Sequence, residues 1–97
     1  MTDIRRLRFN EWNIAHIARH DVTQDEVEEV CHGSPTFAET YNERLRVVGP
    51  TAAGKMLTVI LGPEDDGDYY PITARPASRK ERQRYEELMK GGGEQND

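Results

Sequence analysis

Hydrophobic and polar positions change period along this chain, and the changes mark out its elements. Between Ile4 and Phe9, apolar Ile4, Leu7 and Phe9 are interleaved with arginines, which predicts a short N-terminal strand with a basic polar face. From Glu11 to His20 the apolar residues Trp12, Ile14, Ala15, Ile17 and Ala18 recur at helical spacings, and Asn10 or Asn13 is available as the cap. Asp21-Val22 breaks that helix. Thr23-Gln24-Asp25-Glu26 then has the form of a capping box, in which threonine hydroxyl and glutamate carboxylate satisfy each other's free backbone amides, so a second helix starts at Gln24. Val22 and Val27 fit a hydrophobic staple, and Val30 and Cys31 extend the buried stripe. Gly33 suits a left-handed closure and the helix ends near His32.

The period then shortens to two. Thr36 to Tyr41 is aromatic and β-prone, Asn42-Glu43 is a turn, and Arg44 to Gly49 carries Leu45, Val47 and Val48. After a turn at Pro50 to Gly54 comes Lys55 to Leu61, whose nearly continuous apolar run is that of a strand covered on both faces, in the middle of a sheet. Gly62 to Gly67 is an acidic loop. Tyr69 to Ala74 is a further strand, where Pro71 predicts an edge position or a bulge. Ser78-Arg79-Lys80-Glu81 is a second capping box opening a charged helix through Leu88 or Met89, with Tyr85, Leu88 and Met89 as its packing residues. Residues 91–97 read as a disordered polar tail.

Helices are segregated from strands, so the class is α+β, and 97 residues suffice for one core, placed within residues 1–90 as a single domain. Hydrophobic residues make up 35% against 32% charged, so core material is modest and a partner could supply further burial. No apolar run is long enough to span a membrane and the first residues lack a signal-peptide stretch, so a cytoplasmic protein is expected. The net charge of -5 argues against broad attraction to nucleic acid, yet charge is segregated, with basic groups at Arg5 to Arg8, Arg44 to Arg46 and Arg75 to Arg84. A lone cysteine, Cys31, excludes an internal disulfide and reads as a buried thiol.

Three groups carry candidate chemistry. His16 and His20, four apart on the first helix, project from one face, but Ile17 stands where a zinc peptidase has glutamate and no further Cys or His pair completes a site. Packing and capping is the leading reading for them, with a catalytic or ligand-contacting histidine next and a metal site the weakest. His32 reads as a cation at a helix C-terminus. Arg75, Arg79, Arg82, Arg84 and Lys80 crowd the last strand-to-helix junction. Cations in the first turn oppose the helix dipole, which points to a phosphate received by guanidinium groups and free amides. The alternative is a solvated helix laced by Arg-Glu pairs with Glu81, Glu86 and Glu87. Pro50 to Lys55 lacks the glycines and the hydroxyl of a phosphate loop, so nucleotide hydrolysis is unsupported.

Phe9 to Val22, with Trp12 and Arg19-His20-Asp21-Val22, then Val48-Gly49, then Ile72-Thr73-Ala74-Arg75-Pro76-Ala77-Ser78-Arg79-Lys80-Glu81-Arg82-Gln83-Arg84-Tyr85, resemble the BrnT family of toxins over residues 9 to about 88. The late block, of the form (I/S)(T/S)AR-x-A(T/S)-x-x-E-x-x-x-Y, is the more specific part. Asp21 departs from the family's glycine after the histidine. The resemblance implies a RelE-like fold: a central antiparallel sheet of about four or five strands, two helices in the N-terminal half and one C-terminal helix. It also implies ribonuclease activity that needs no metal or cofactor and arrests translation. The implied partner is a ribbon-helix-helix antitoxin of the BrnA type, with DNA met only through that partner.

Metal-free RNA cleavage needs a base for the 2′-hydroxyl, cationic donors for the phosphorane-like transition state and an acid for the leaving oxygen. The expected assignments are His20 as base or acid, Arg75 and Arg79 as phosphate clamps, and Tyr85 or Glu81 as the remaining proton-transfer or orienting group. Arg44, Lys55 and Arg82 are expected RNA contacts, and Arg84 is expected to be a surface residue of lesser weight. The competing expectation is a catalytically silent member that only pairs with an antitoxin or regulator.

Overall fold

A computed structural model describes residues 4–94. In chain order the elements are β1 (Arg6–Leu7), α1 (Glu11–Ala18), α2 (Gln24–Cys31), β2 (Thr36–Glu39), a short 3-10 turn at Tyr41–Glu43, β3 (Leu45–Pro50), β4 (Met56–Pro63), β5 (Asp68–Pro76) and α3 (Arg79–Glu94). The five strands form one sheet in the order β1-β5-β4-β3-β2. β4 is its middle strand, as its apolar run predicts. The sheet is mixed rather than purely antiparallel, because the two-residue β1 runs parallel to β5, with Arg6 beside Asp68 and Leu7 beside Tyr69. Pro71 is accommodated at a bulge: Ile60 pairs with Thr73 and Leu61 with Pro71, leaving Ile72 as the extra residue of an interior strand.

Alternation gives the sheet two different faces. Leu45, Val47, Leu57, Val59, Leu61 and Ala74 point to the first face and are buried there with Ile17, Val22, Val27, Val30 and Cys31 of the α1–α2 layer. Arg46, Val48, Thr58 and Arg75, one residue out of phase, turn to the second face, where α3 lies. Burying each of the aliphatic side chains on the first face contributes roughly 1.5–3 kcal/mol. That face holds most of the core, and the second, which also buries Val48 and Thr58, is covered in part by α3.

The caps form largely as spelled out in the sequence. Asn10 and Asn13 are both used: Asn10 Oδ1 accepts from the Asn13 amide at 3.0 Å while Asn13 Oδ1 accepts from the Asn10 amide at 2.8 Å. Asn13 is buried, its Nδ2 donating to the Arg8 carbonyl, so the inward face of α1 runs through Asn13 and Ile17. Trp12 consequently points outward at 82% exposure, against the expectation that it joins the apolar stripe. Thr23 and Glu26 close the α2 box. Gly33 is not in the left-handed region; a Cβ there would stand 2.7 Å from the Glu29 carbonyl oxygen, so the position requires space. α3 runs past Met89 through the glycines to Glu94, while the expected disorder of residues 95–97 lies outside the described residues.

The departure at Asp21 has a structural meaning. The Val22 amide donates to the Ile17 carbonyl and the Asp21 amide to the Ala18 carbonyl, the paired bonds of a Schellman closure, with Ile17 and Val22 both in the core. Asp21 sits at φ 62°, the left-handed position that glycine occupies at least cost. Asp21→Gly is therefore expected to raise stability by about 0.5–1 kcal/mol, read as a higher thermal midpoint; an unchanged or lower midpoint contradicts this account of the turn.

Candidate functional site

The second face of the sheet is cationic. A cavity of about 470 Å³ opens over β3, β4 and β5, lined by Glu39, Thr40, Arg44, Arg46, Ile60 and Arg75. A neighbouring cavity of about 300 Å³ lies between β2, β3 and α3, lined by Thr36, Phe37, Ala38, Arg46, Val48, Lys80, Glu81, Arg84 and Leu88. Arg46 lines both. Five cations thus meet two carboxylates, Glu39 and Glu81, across one face of a chain whose net charge is -5. Local charge overrides the net charge here.

One fixed ion pair organises this face. Thr58 and Arg75 are cross-strand partners on β4 and β5, and Glu81 from the first turn of α3 descends between them. Arg75 Nη1 donates to Glu81 Oε1 at 2.8 Å and Nη2 to Oε2 at 2.9 Å, a two-pronged pair. Thr58 Oγ1 and the Ser78 amide each donate to Oε1 at 2.8 Å, and the Glu81 amide donates back to Ser78 Oγ at 3.2 Å. The Arg75 guanidinium, with the Ser78 amide and Thr58 hydroxyl opposing the cost of burial, holds the Glu81 carboxyl down at about 2 against an ordinary 4.5. Arg75 is raised in turn, first by its hydrogen bond to Glu81. Glu81 is therefore ionised near neutral pH, with three bonds on Oε1 and one on Oε2. Arg75 spends three N–H groups on Glu81 and the Pro76 carbonyl, and its Nε–H and second Nη2–H have no partner among the described residues.

The other expected site residues divide by face. Arg44 lines the larger cavity. Tyr85 is one turn beyond Glu81 on α3, and its hydroxyl donates to the Ser34 carbonyl at 2.8 Å, tying α3 to the start of β2. Arg79 is exposed in the first turn of α3 and lines neither cavity. Arg82 turns back to donate to the Ala77 carbonyl at 3.1 Å. His20 lies beyond the C-terminal end of α1, on the side of the sheet away from Arg75, with its ring 6.0 Å from that of His16. Lys55 belongs to the same corner, donating to the Asp21 carbonyl at 3.0 Å and standing 3.9 Å from Glu26.

Sequence reasoning gives Arg46 no role of its own and reads Lys80 and Arg84 only within the cationic cluster at the start of the last helix. The signal for Arg46 is present: in Arg44-Leu45-Arg46-Val47, alternation that buries Leu45 and Val47 sends both arginines to the opposite face. Arg84 is exposed yet borders the smaller cavity because it lies one turn after Lys80 and one before Leu88. Among the described residues no three His, Cys, Asp or Glu side chains gather as a metal site, and no helix is long and apolar enough to cross a membrane. Burial, with Glu28 adding to it, pushes the Cys31 thiol up to about 12, far from a reactive thiolate.

No known protein-family profile matches the sequence. No curated protein matches it either. Among solved structures, the chain is similar to the 1.1 Å crystal structure of the Brucella abortus ribonuclease toxin BrnT, with a TM-score of 0.59 and 23% identity, covering 81% of this chain and all of that one. At that identity the likeness is one of architecture, and the chain has a BrnT-like α+β fold.

Proposed function

We propose that the chain is a ribonuclease toxin of a toxin-antitoxin pair, acting in the cytoplasm without a metal and neutralised by a ribbon-helix-helix partner, with DNA engaged only through that partner. The observation that carries this reading is the Arg75–Glu81 pair, set in a cationic cleft on a BrnT-like fold. An RNA phosphate entering the larger cavity meets the two unpaired N–H groups of Arg75 and the guanidinium groups of Arg44 and Arg46. When the 2′-hydroxyl loses its proton to water and its oxygen bonds to phosphorus, the bond to the 5′-oxygen breaks, and that oxygen takes a proton from water. Charge accumulates on the non-bridging oxygens, and prepositioned donors stabilise that state more than the ground state. Glu81 fixes the Arg75 plane, and Tyr85 fixes the helix that carries Glu81.

A second reading, a silent module that binds a partner without cutting RNA, is favoured by one observation: no described histidine lines the cleft. Induced expression with and without the product of the neighbouring gene tests the proposal. Growth arrest relieved by that product is the expected result. Unimpaired growth together with a stable complex means the silent module.

A further inference from the structure

We propose that the smaller cavity, between α3 and β2–β3, is a guanine subsite. This rests on the ribonuclease reading and names the base it would select. The cavity combines two features that a ring with an acceptor edge requires. Its walls are aliphatic, with Ala38 and Val48 from the sheet facing Leu88 from α3, and they enclose about 300 Å³, space for one planar base. Three of its polar side chains are cationic donors, Arg46, Lys80 and Arg84, beside the Thr36 hydroxyl and the Glu81 carboxylate. Glu81 is largely committed, with Oε1 taking bonds from Thr58, Ser78 and Arg75 and Oε2 one from Arg75, so donors outnumber open acceptors.

A surplus of cationic donors discriminates among bases. Guanine presents O6 and N7 as adjacent acceptors, the edge that arginine grips with both prongs. Adenine sets its N6 amino donor beside N7, where it would face a cation, and uracil places an N–H between its two carbonyls. Cytosine has adjacent acceptors in O2 and N3, but on a single ring that covers less of the aliphatic walls. Position agrees with chemistry. Arg46 lines both cavities, so they adjoin, with Arg44 and Arg75 lining one and Arg84 the other.

The test uses four uncleavable 2′-deoxy oligouridine strands differing in one central base, with binding to the whole chain followed by fluorescence anisotropy. The guanine strand is expected to bind on the order of 10-fold more tightly than the other three. Replacing guanine by 7-deazaguanine, which lacks the N7 acceptor, should remove most of that advantage with the protein unchanged. Arg84→Ala should bring the four strands together, whereas Arg75→Ala should weaken all of them alike. Equal affinity of wild type for the four strands, or a preference for adenine, cytosine or uracil, overturns the guanine subsite and leaves the ribonuclease reading standing. Failure of every strand to bind overturns both.

Discussion

Replacing Arg75 by alanine is expected to lower RNA cleavage on the order of 100-fold or more, the loss typical when a prepositioned transition-state donor is removed. The two N–H groups that Arg75 keeps free of Glu81 and the Pro76 carbonyl are the donors at stake. Arg75→Lys should fall between wild type and alanine, since an ammonium keeps the charge but loses the planar fork. Arg75 also supports the fold through Glu81, so a thermal unfolding curve belongs beside each rate. Its side chain is 40% exposed, which limits the stability loss to about 1–2 kcal/mol. Arg79→Ala, a change outside both cavities, should cost less activity than Arg75→Ala. If Arg75→Ala folds and cleaves RNA like wild type, the clamp is wrongly placed.

The second large effect is on stability against pH. Glu81 is held at about 2 in the folded chain against an ordinary 4.5, so between those values the unfolded chain binds the extra proton and stability rises with pH. The contribution is present in full above about pH 4.5 and is lost as pH falls towards 2. Its size is about 3 kcal/mol at most, from the linkage between shift and free energy. Asp68, lowered first by its hydrogen bond to Arg8, pulls in the same direction. The discriminating comparison is therefore with Glu81→Gln, which should be less stable at neutral pH and lose much of the dependence below pH 4.5. Parallel curves for wild type and Glu81→Gln, measured by urea unfolding, would show that the carboxylate does not carry this coupling.

Local chemistry was legible in the chain because it is written in adjacent residues. Both N-caps of the form Ser/Thr-x-x-Glu close as read, Thr23 on Glu26 and Ser78 on Glu81, and the alternation in Leu45 to Val48 defines two faces. What stayed hidden depends on residues far apart in sequence. Nothing near Arg6–Leu7 announces a parallel pairing with β5, sixty residues on, and nothing in a capping box says that its glutamate will also receive Thr58 and Arg75. Trp12 misled because five apolar residues in α1 fit more than one helical stripe, and the choice fell to Asn13, whose amide is satisfied by Arg8. The separation of His20 from Arg75 is likewise topological: α1 and α3 pack on opposite faces of the sheet.

That separation makes one measurement decisive for the central claim, that the second-face cleft binds and cuts RNA. Purified chain, freed of metal with EDTA, is incubated with a labelled single-stranded RNA alongside Arg75→Ala and His20→Ala. The account predicts cleavage by wild type that survives EDTA, collapses with Arg75→Ala and persists with His20→Ala. A folded wild-type chain that leaves the RNA intact, or cleavage abolished by His20→Ala and untouched by Arg75→Ala, contradicts it.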